Sequence, residues 1–419
     1  MNVKTTTLKN GLRVVTDRID HLETAAIGIW VDAGARHETV AQNGVAHLLE
    51  HMAFKGTERR DARAIAEEIE AVGGHLNAYT GREHTAYYAR VLKDDMPLAL
   101  DILADILQNS TFEEAELARE REVVIQEIAQ AHDTPDDIVF DWLQEIAYAE
   151  QPLGRSILGT SEQVAGYARE DLDRYMKLHY RGPRMVLAVS GAVDHETVLA
   201  LAERAFDKLE AAVEVIPEPA VWSGGDRREG RSLEQVHLAF GFDAVSYHDD
   251  DFYPLQVLAT VLGGGMSSRL FQEVREKRGL AYSVFSFSSA YVDGGMFGIY
   301  AGTSPDHLDE LVPVICDEVG KAAGRVGDEE IDRARAQFKA GLFMSMESPT
   351  ARIEQIGRQM HIFGRPLSTQ EVMDRVNAVD ARAVSQAAAR LIDSGRPAVA
   401  AIGPVGGLES YDSIAARFG

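Results

Sequence analysis

The spacing of apolar and polar positions changes register several times along the first 130 residues. Residues 12–16 and 25–31 are rich in β-branched and aromatic side chains and read as strands. Residues 44–54 place their apolar positions at helical spacing, with Asn43 as the expected N-cap and Gly56 as the stop. Residues 61–72 repeat that pattern. There Ala64, Ile65, Ile69 and Val72 share one face, and Gly73-Gly74 ends the run. Two further strands are expected at 75–80 and 85–92, joined by a short polar turn, and long helices at about 96–108 and 113–131.

Residues 211–232 hold two prolines and a Gly-Gly pair, which suits a linker. After it the order of elements begins again. The strand at 236–241 stands about 210 residues after 27–32, the segment 112–117 returns in kind at 327–332, and 185–194 returns at 398–407. One order at nearly one offset predicts an internal duplication. The expected fold is α+β: two homologous αβ domains, 1–210 and 233–419, each a mainly antiparallel sheet packed against helices, together enclosing a cleft.

Composition narrows the partners. The 419 residues carry 66 acidic against 42 basic side chains, a formal charge of −24, which argues against nucleic acid and leaves basic partners favoured. Cys316 stands alone, so neither a disulfide framework nor a cysteine-based zinc site is expected, and it reads as a small buried hydrophobe. No run suits a signal peptide or a membrane span, and Asp17 and Asp20 disfavour a transit peptide. The expectation is a cytoplasmic protein with no membrane insertion.

The sharpest local signal is His47-Leu-Leu-Glu50-His51. On a helix, positions i, i+3 and i+4 share a face, so two imidazoles and a carboxylate point the same way. Two neutral imidazoles can ligate Zn²⁺, with the carboxylate beside a metal-held water. A catalytic site of this kind wants a third protein ligand. Glu120 and Glu127 are candidates, seven positions apart and hence on one helix face, one to ligate and the other to orient. His75, His84 and His132 compete for that place. Gly263-Gly-Gly-Met-Ser-Ser lacks the Gly-Lys-Ser/Thr ending of a phosphate loop and reads as a flexible cleft loop or tight turn.

Through His47-Leu-Leu-Glu-His-Met-Ala-Phe-Lys-Gly-Thr, Gly74-His-Leu-Asn-Ala-Tyr-Thr and Ala86-Tyr-Tyr-Ala-Arg-Val-Leu, the chain resembles the insulinase/pitrilysin zinc metallopeptidases over essentially its whole length. The nearest branch is that of the processing-peptidase β subunits and their bacterial relatives. The resemblance implies that His47, His51 and Glu127, the last 76 positions after His51, are zinc ligands. It implies that Glu50 is the catalytic base and that Glu120 assists. It further implies that Arg275 and Tyr282 bind substrate and orient or stabilise the scissile carbonyl oxygen, with Arg278 as the alternative to Arg275. Asn77 and Ala78 would hold an extended peptide by strand addition. One Zn²⁺ per chain and peptide substrates, including basic or Arg-containing ones, are expected.

Shifting His47 and His51 by 210 lands on Val257 and Val261, and Phe343 stands near the counterpart of Glu127. The second copy is therefore expected to lack metal and to contribute substrate contacts. The first reading is a zinc endopeptidase working as a homodimer. The alternatives are a non-catalytic core-type subunit and a catalytic subunit needing a heterodimer partner.

Overall fold

The structure, a computed structural model, describes residues 2–210 and 215–418. The first half of the chain runs β1 (Val3–Thr7), β2 (Arg13–Arg18), β3 (Thr24–Val31), α1 (Val45–Ala53), α2 (Ala62–Ala71), β4 (His75–Thr80), β5 (Thr85–Leu92), α3 (Met96–Gln108) and α4 (Glu114–His132). It continues through α5 (Pro135–Ala147), α6 (Ser161–Gly166), α7 (Arg169–His179), β6 (Met185–Gly191) and α8 (His195–Ala205). The second half repeats the order. It runs β7 (Gly225–Gly230), β8 (Val236–Ala244), α9 (Phe252–Gly263), a π-helical turn (Phe271–Glu276), β9 (Ala281–Ala290) and β10 (Gly295–Thr303). Then come α10 (Leu308–Gly324), α11 (Asp328–Ser345), α12 (Pro349–Phe363), α13 (Thr369–Ala378), α14 (Ala381–Asp393), β11 (Ala398–Gly403) and α15 (Tyr411–Ala415).

The match is close. β2 and β7 begin 212 residues apart, at Arg13 and Gly225, and α5 and α12 begin 214 apart, at Pro135 and Pro349. Each half builds one mixed, mainly antiparallel sheet. The orders are β1-β2-β6-β3-β5-β4 and β7-β11-β8-β10-β9, with β2–β6 and β7–β11 as the parallel pairs.

Two compact units result, and they do not follow a cut at 210 and 233. The first comprises the chain up to Ala129, Ser156–Glu218 and Phe343–Thr369; the second comprises Gln130–Arg155, Pro219–Leu342 and the chain from Gln370 onward. Equivalent helices have changed places: α5 from the first half of the chain belongs to the second unit, and α12 from the second half belongs to the first. The span expected to be a linker is only partly one. Residues 211–214 lie outside the described residues, while Gly225–Gly230 forms β7 and pairs in parallel with β11.

In the first unit both sheet faces are buried, and strand alternation divides the side chains between them. In β3, Ala25, Ile27, Ile29 and Val31 face a core shared with α1, α3 and α4. Ala26 and Trp30 point the other way, onto Ile353, Ile356 and Met360 of α12. The Trp30 ring requires a glycine on α12: a Cβ on Gly357 would lie 2.2 Å from it. In the second unit α5 does the same work, setting Val139, Trp142 and Leu143 against Ala239, Ala400 and Ile402. Among the described residues no helix is long and apolar enough to cross a membrane. Cys316 is buried, as read, and burial pushes its thiol up to about 12.

Candidate metal centre

Helix α1 buries Val45, Ala46, Leu48, Leu49, Met52 and Ala53, leaving His47, Glu50 and His51 on its half-buried face. Its start departs from the sequence reading. Gly44, not Asn43, is the N-cap, in a left-handed conformation at φ 92°. The Asn43 side chain is instead drawn into a bond with Glu38 at 3.1 Å. Glu38 takes over the capping: its two carboxylate oxygens accept the Gly44 and Ala46 N–H groups at 2.9 and 2.8 Å. A negative charge at this helix end also complements the helix dipole.

The His47 and His51 rings meet edge to face with centroids 4.7 Å apart. Glu127, four turns along α4, brings Oε2 to 3.6 Å from His47 Nε2 and 3.5 Å from His51 Nε2. Those separations are too long for hydrogen bonds. A tetrahedral ion with bonds of about 2.1 Å keeps its ligands about 3.4 Å apart, so the spacing suits a cation shared by all three. Their ligand atoms lie within 4.8 Å of one another, and among the described residues this is the only such group of histidine, cysteine and carboxylate side chains. Burial, and then the neighbouring His51, hold His47 down at about 4. It is therefore neutral at physiological pH, the form that ligates metal.

Around this group stands a layer of polar contacts. Glu120, almost fully buried, accepts from His51 Nδ1 at 3.1 Å through Oε2 and pairs with Lys55 Nζ at 2.7 Å through Oε1. His47 Nδ1 is buried with no hydrogen-bond partner, so only one of the two imidazoles is oriented from behind. Glu50 accepts the Thr80 hydroxyl at Oε2, 2.6 Å away, and is also bonded by the Thr80 backbone. Burial pushes the Glu50 carboxyl upward, against the Thr80 hydroxyl, which holds it down.

Thr80 closes β4, the edge strand of its sheet. The Gly81 N–H to His84 carbonyl bond of 2.8 Å ends the β4–β5 hairpin. Alternation from that pair turns the backbone groups of Leu76, Ala78 and Thr80 away from β5, toward the open edge. Ala78 thus has an outward N–H, which Asn77 Oδ1 meets at 2.9 Å. Of the competing histidines, His75 is exposed at the start of β4 and His84 bonds the Tyr79 hydroxyl at 3.0 Å. His132, at the end of α4, gives its carbonyl to Arg231. None joins the group of three.

In the second unit, Arg275 sits on the π-helical turn with its guanidinium 4.3 Å from the Tyr282 ring and 4.7 Å from that of Phe271. Tyr282, near the start of β9, is 77% exposed. Arg278 is differently engaged: it bonds the Glu273 carboxylate at 2.6 Å and pairs with Glu310 at 3.5 Å. Helix α9 has no histidine or carboxylate in its twelve residues, and Val257 and Val261 are buried.

Comparison with known proteins gives the family. Residues 13–161 match the family described as Insulinase (Peptidase family M16), and residues 167–338 match the domain described as Peptidase M16 inactive domain. The chain belongs to the insulinase family of peptidases. A probable mitochondrial-processing peptidase subunit beta from Arabidopsis thaliana is 43% identical, the match covering 99% of this chain and 81% of the relative. An uncharacterized zinc protease of Rickettsia bellii (strain RML369-C) is 42% identical across 96% of this chain and 98% of its own. The crystal structure of a peptidase M16 inactive domain from Pseudomonas fluorescens shares the fold, with a TM-score of 0.90 at 21% identity, covering 98% of this chain and 99% of that one.

Three residues around the centre of this insulinase-family chain escaped the sequence reading: Glu38, Lys55 and Thr80. Lys55 lies four positions after His51, a helical spacing that could have flagged it. Thr80 reaches α1 through a tertiary contact, while Glu38 caps it from six to eight positions upstream.

Proposed function

We propose that this chain is a zinc-dependent endopeptidase in which His47, His51 and Glu127 hold one Zn²⁺ and Glu50 is the general base. The observation that carries this reading is the placing of Glu127 Oε2 at 3.5 and 3.6 Å from two imidazole nitrogens on the face that also presents Glu50. Bound there, zinc supplies Lewis acidity, polarising the scissile carbonyl and acidifying water. Glu50 takes the proton from the attacking water and delivers it to the leaving amine. Its buried setting supports this, because raised basicity suits a carboxylate that must hold a proton between the two steps. Glu120 orients His51 through Nδ1, with Lys55 balancing the buried charge.

The peptide lies extended along β4, where Ala78 offers outward backbone groups once the Asn77 side chain yields the N–H it covers. Arg275 and Tyr282 are the further peptide contacts. Arg275 is favoured over Arg278, whose charge is already answered by Glu273 and Glu310. Substrates include basic peptides, drawn by the net charge of −24, and the active form is a homodimer. One relative is named as a subunit, so sizing the purified chain while assaying it alone tests whether a second kind of chain is required.

The deciding experiment is hydrolysis of an Arg-containing peptide by the zinc-loaded chain, the chelated chain and Glu50→Gln. Chelation and the substitution should each lower the rate by about a thousandfold or more. If either cleaves as fast as the loaded protein, the reading fails.

A further inference from the structure

Glu50 can act as a base only if its carboxylate is held in one orientation, and α1 does not provide that by itself. A glutamate has three rotatable bonds, and on the half-buried face of a helix it gains nothing from its own backbone. The residue that reaches it comes from elsewhere in the fold. Thr80 is the last residue of β4, and its hydroxyl donates to Glu50 Oε2 at 2.6 Å. That is the short distance of a charge-assisted O–H···O⁻ bond. The Thr80 backbone bonds the same carboxylate, and the strand register turns that residue's backbone toward the open edge. A threonine suits this position because its β-branched side chain is stiff about χ1, so the hydroxyl's direction is set by the strand.

We infer that Thr80 is a positioning residue, coupling the edge strand to the general base by fixing the Glu50 carboxylate with its hydroxyl. This rests on the peptidase reading above. It adds a second consequence: with its backbone engaged by Glu50, Thr80 ends the stretch of β4 open to a paired peptide. The last outward position left for a peptide is then Ala78, once the Asn77 side chain yields its N–H. A peptide paired at Ala78 and a base anchored at Thr80 would keep a fixed spacing of two residues along one strand.

The test uses the full zinc-loaded chain with Thr80→Val and Thr80→Ser. Valine keeps the β-branched shape and removes the donor, while serine keeps the donor. Thr80→Val should lower kcat about tenfold or more, since hydrogen bonds to charged groups are among the strong ones, with KM and bound zinc unchanged. Thr80→Ser should restore most of kcat. Crystal structures of wild type and Thr80→Val supply a readout independent of turnover: Glu50 should hold one conformation in the first and leave it in the second. A Thr80→Val protein with wild-type kcat and an unmoved Glu50 overturns the inference, as does an equal loss in Thr80→Ser. If the wild type itself cleaves nothing, the peptidase reading fails, and the position of Glu50 in the two crystal structures still decides the role of Thr80.

Discussion

Helices α1 and α9 occupy the same station in the two halves of the chain, yet one carries two imidazoles and a carboxylate on a half-buried face and the other buries valines. The difference extends to their partners. Helix α4 carries Glu120 and Glu127 in its second and fourth turns, whereas α11 has its acids at Asp328, Glu329, Glu330 and Asp332 and none beyond. One fold therefore tolerates both a polar cluster and an apolar one at this place. The polar version needs outside support, from Glu38, Glu120, Lys55 and Thr80. The apolar version needs only packing.

The largest test of that contrast is metal binding. His51→Ala should lower zinc affinity by about a hundredfold or more, since it removes a ligand outright. Val257→Ala should leave zinc content at one per chain and cost about 2 kcal/mol of stability. Equal zinc loss in both would dissolve the distinction between the halves.

Acid should separate the units next. His84, His179 and His361 lie in the first unit, held by burial at about 4, 3 and 3, with Arg358, Arg184 and Arg13 respectively adding to the effect. Each imidazole binds its proton more weakly folded than unfolded, where the value is about 6.5. The unfolded chain therefore takes up more protons as pH falls. Stability is unaffected above about pH 6.5 and falls below it, by about 2 kcal/mol for each such group at pH 5. Hydrogen exchange on metal-free protein at pH 7 and pH 5 should show first-unit amides losing protection first. Parallel loss in both units would break the comparison.

Gly357→Ala should destabilise the first unit by about 1–3 kcal/mol, because the new methyl meets the Trp30 ring in a packed core. Thermal unfolding measures it, and an unchanged Tm would show that α12 can shift away. The smallest expected effect belongs to Lys55→Met. It takes the lysine from Glu120 and should weaken zinc affinity about tenfold. Unaltered zinc affinity would reduce Lys55 to a surface pair.

The helix bearing His47, Glu50 and His51 was legible in the chain because a shared face at i, i+3 and i+4 is a local property. The duplication was legible because a repeated order of elements leaves a constant offset. Other features were not. Gly225–Gly230 reads Gly-Asp-Arg-Arg-Glu-Gly, a poor strand by composition, and is one because β11 offers it a parallel edge. Asn43 has the chemistry of an N-cap, but the buried Glu38 carboxylate had a stronger claim on the helix start.

By itself, then, the sequence determined the two-copy α+β plan, the metal-type face of α1 and the absence of that face from α9. These are periodicities, and periodicity survives without knowledge of the fold. Only the tertiary structure decided that α5 and α12 cross into opposite units, that Glu127 sits 3.5 Å from His51, and that Lys55 and Thr80 stand behind the candidate centre. Those are contacts between segments far apart in the chain or on different elements, and their distances follow from how sheets and helices pack, which no local spacing encodes.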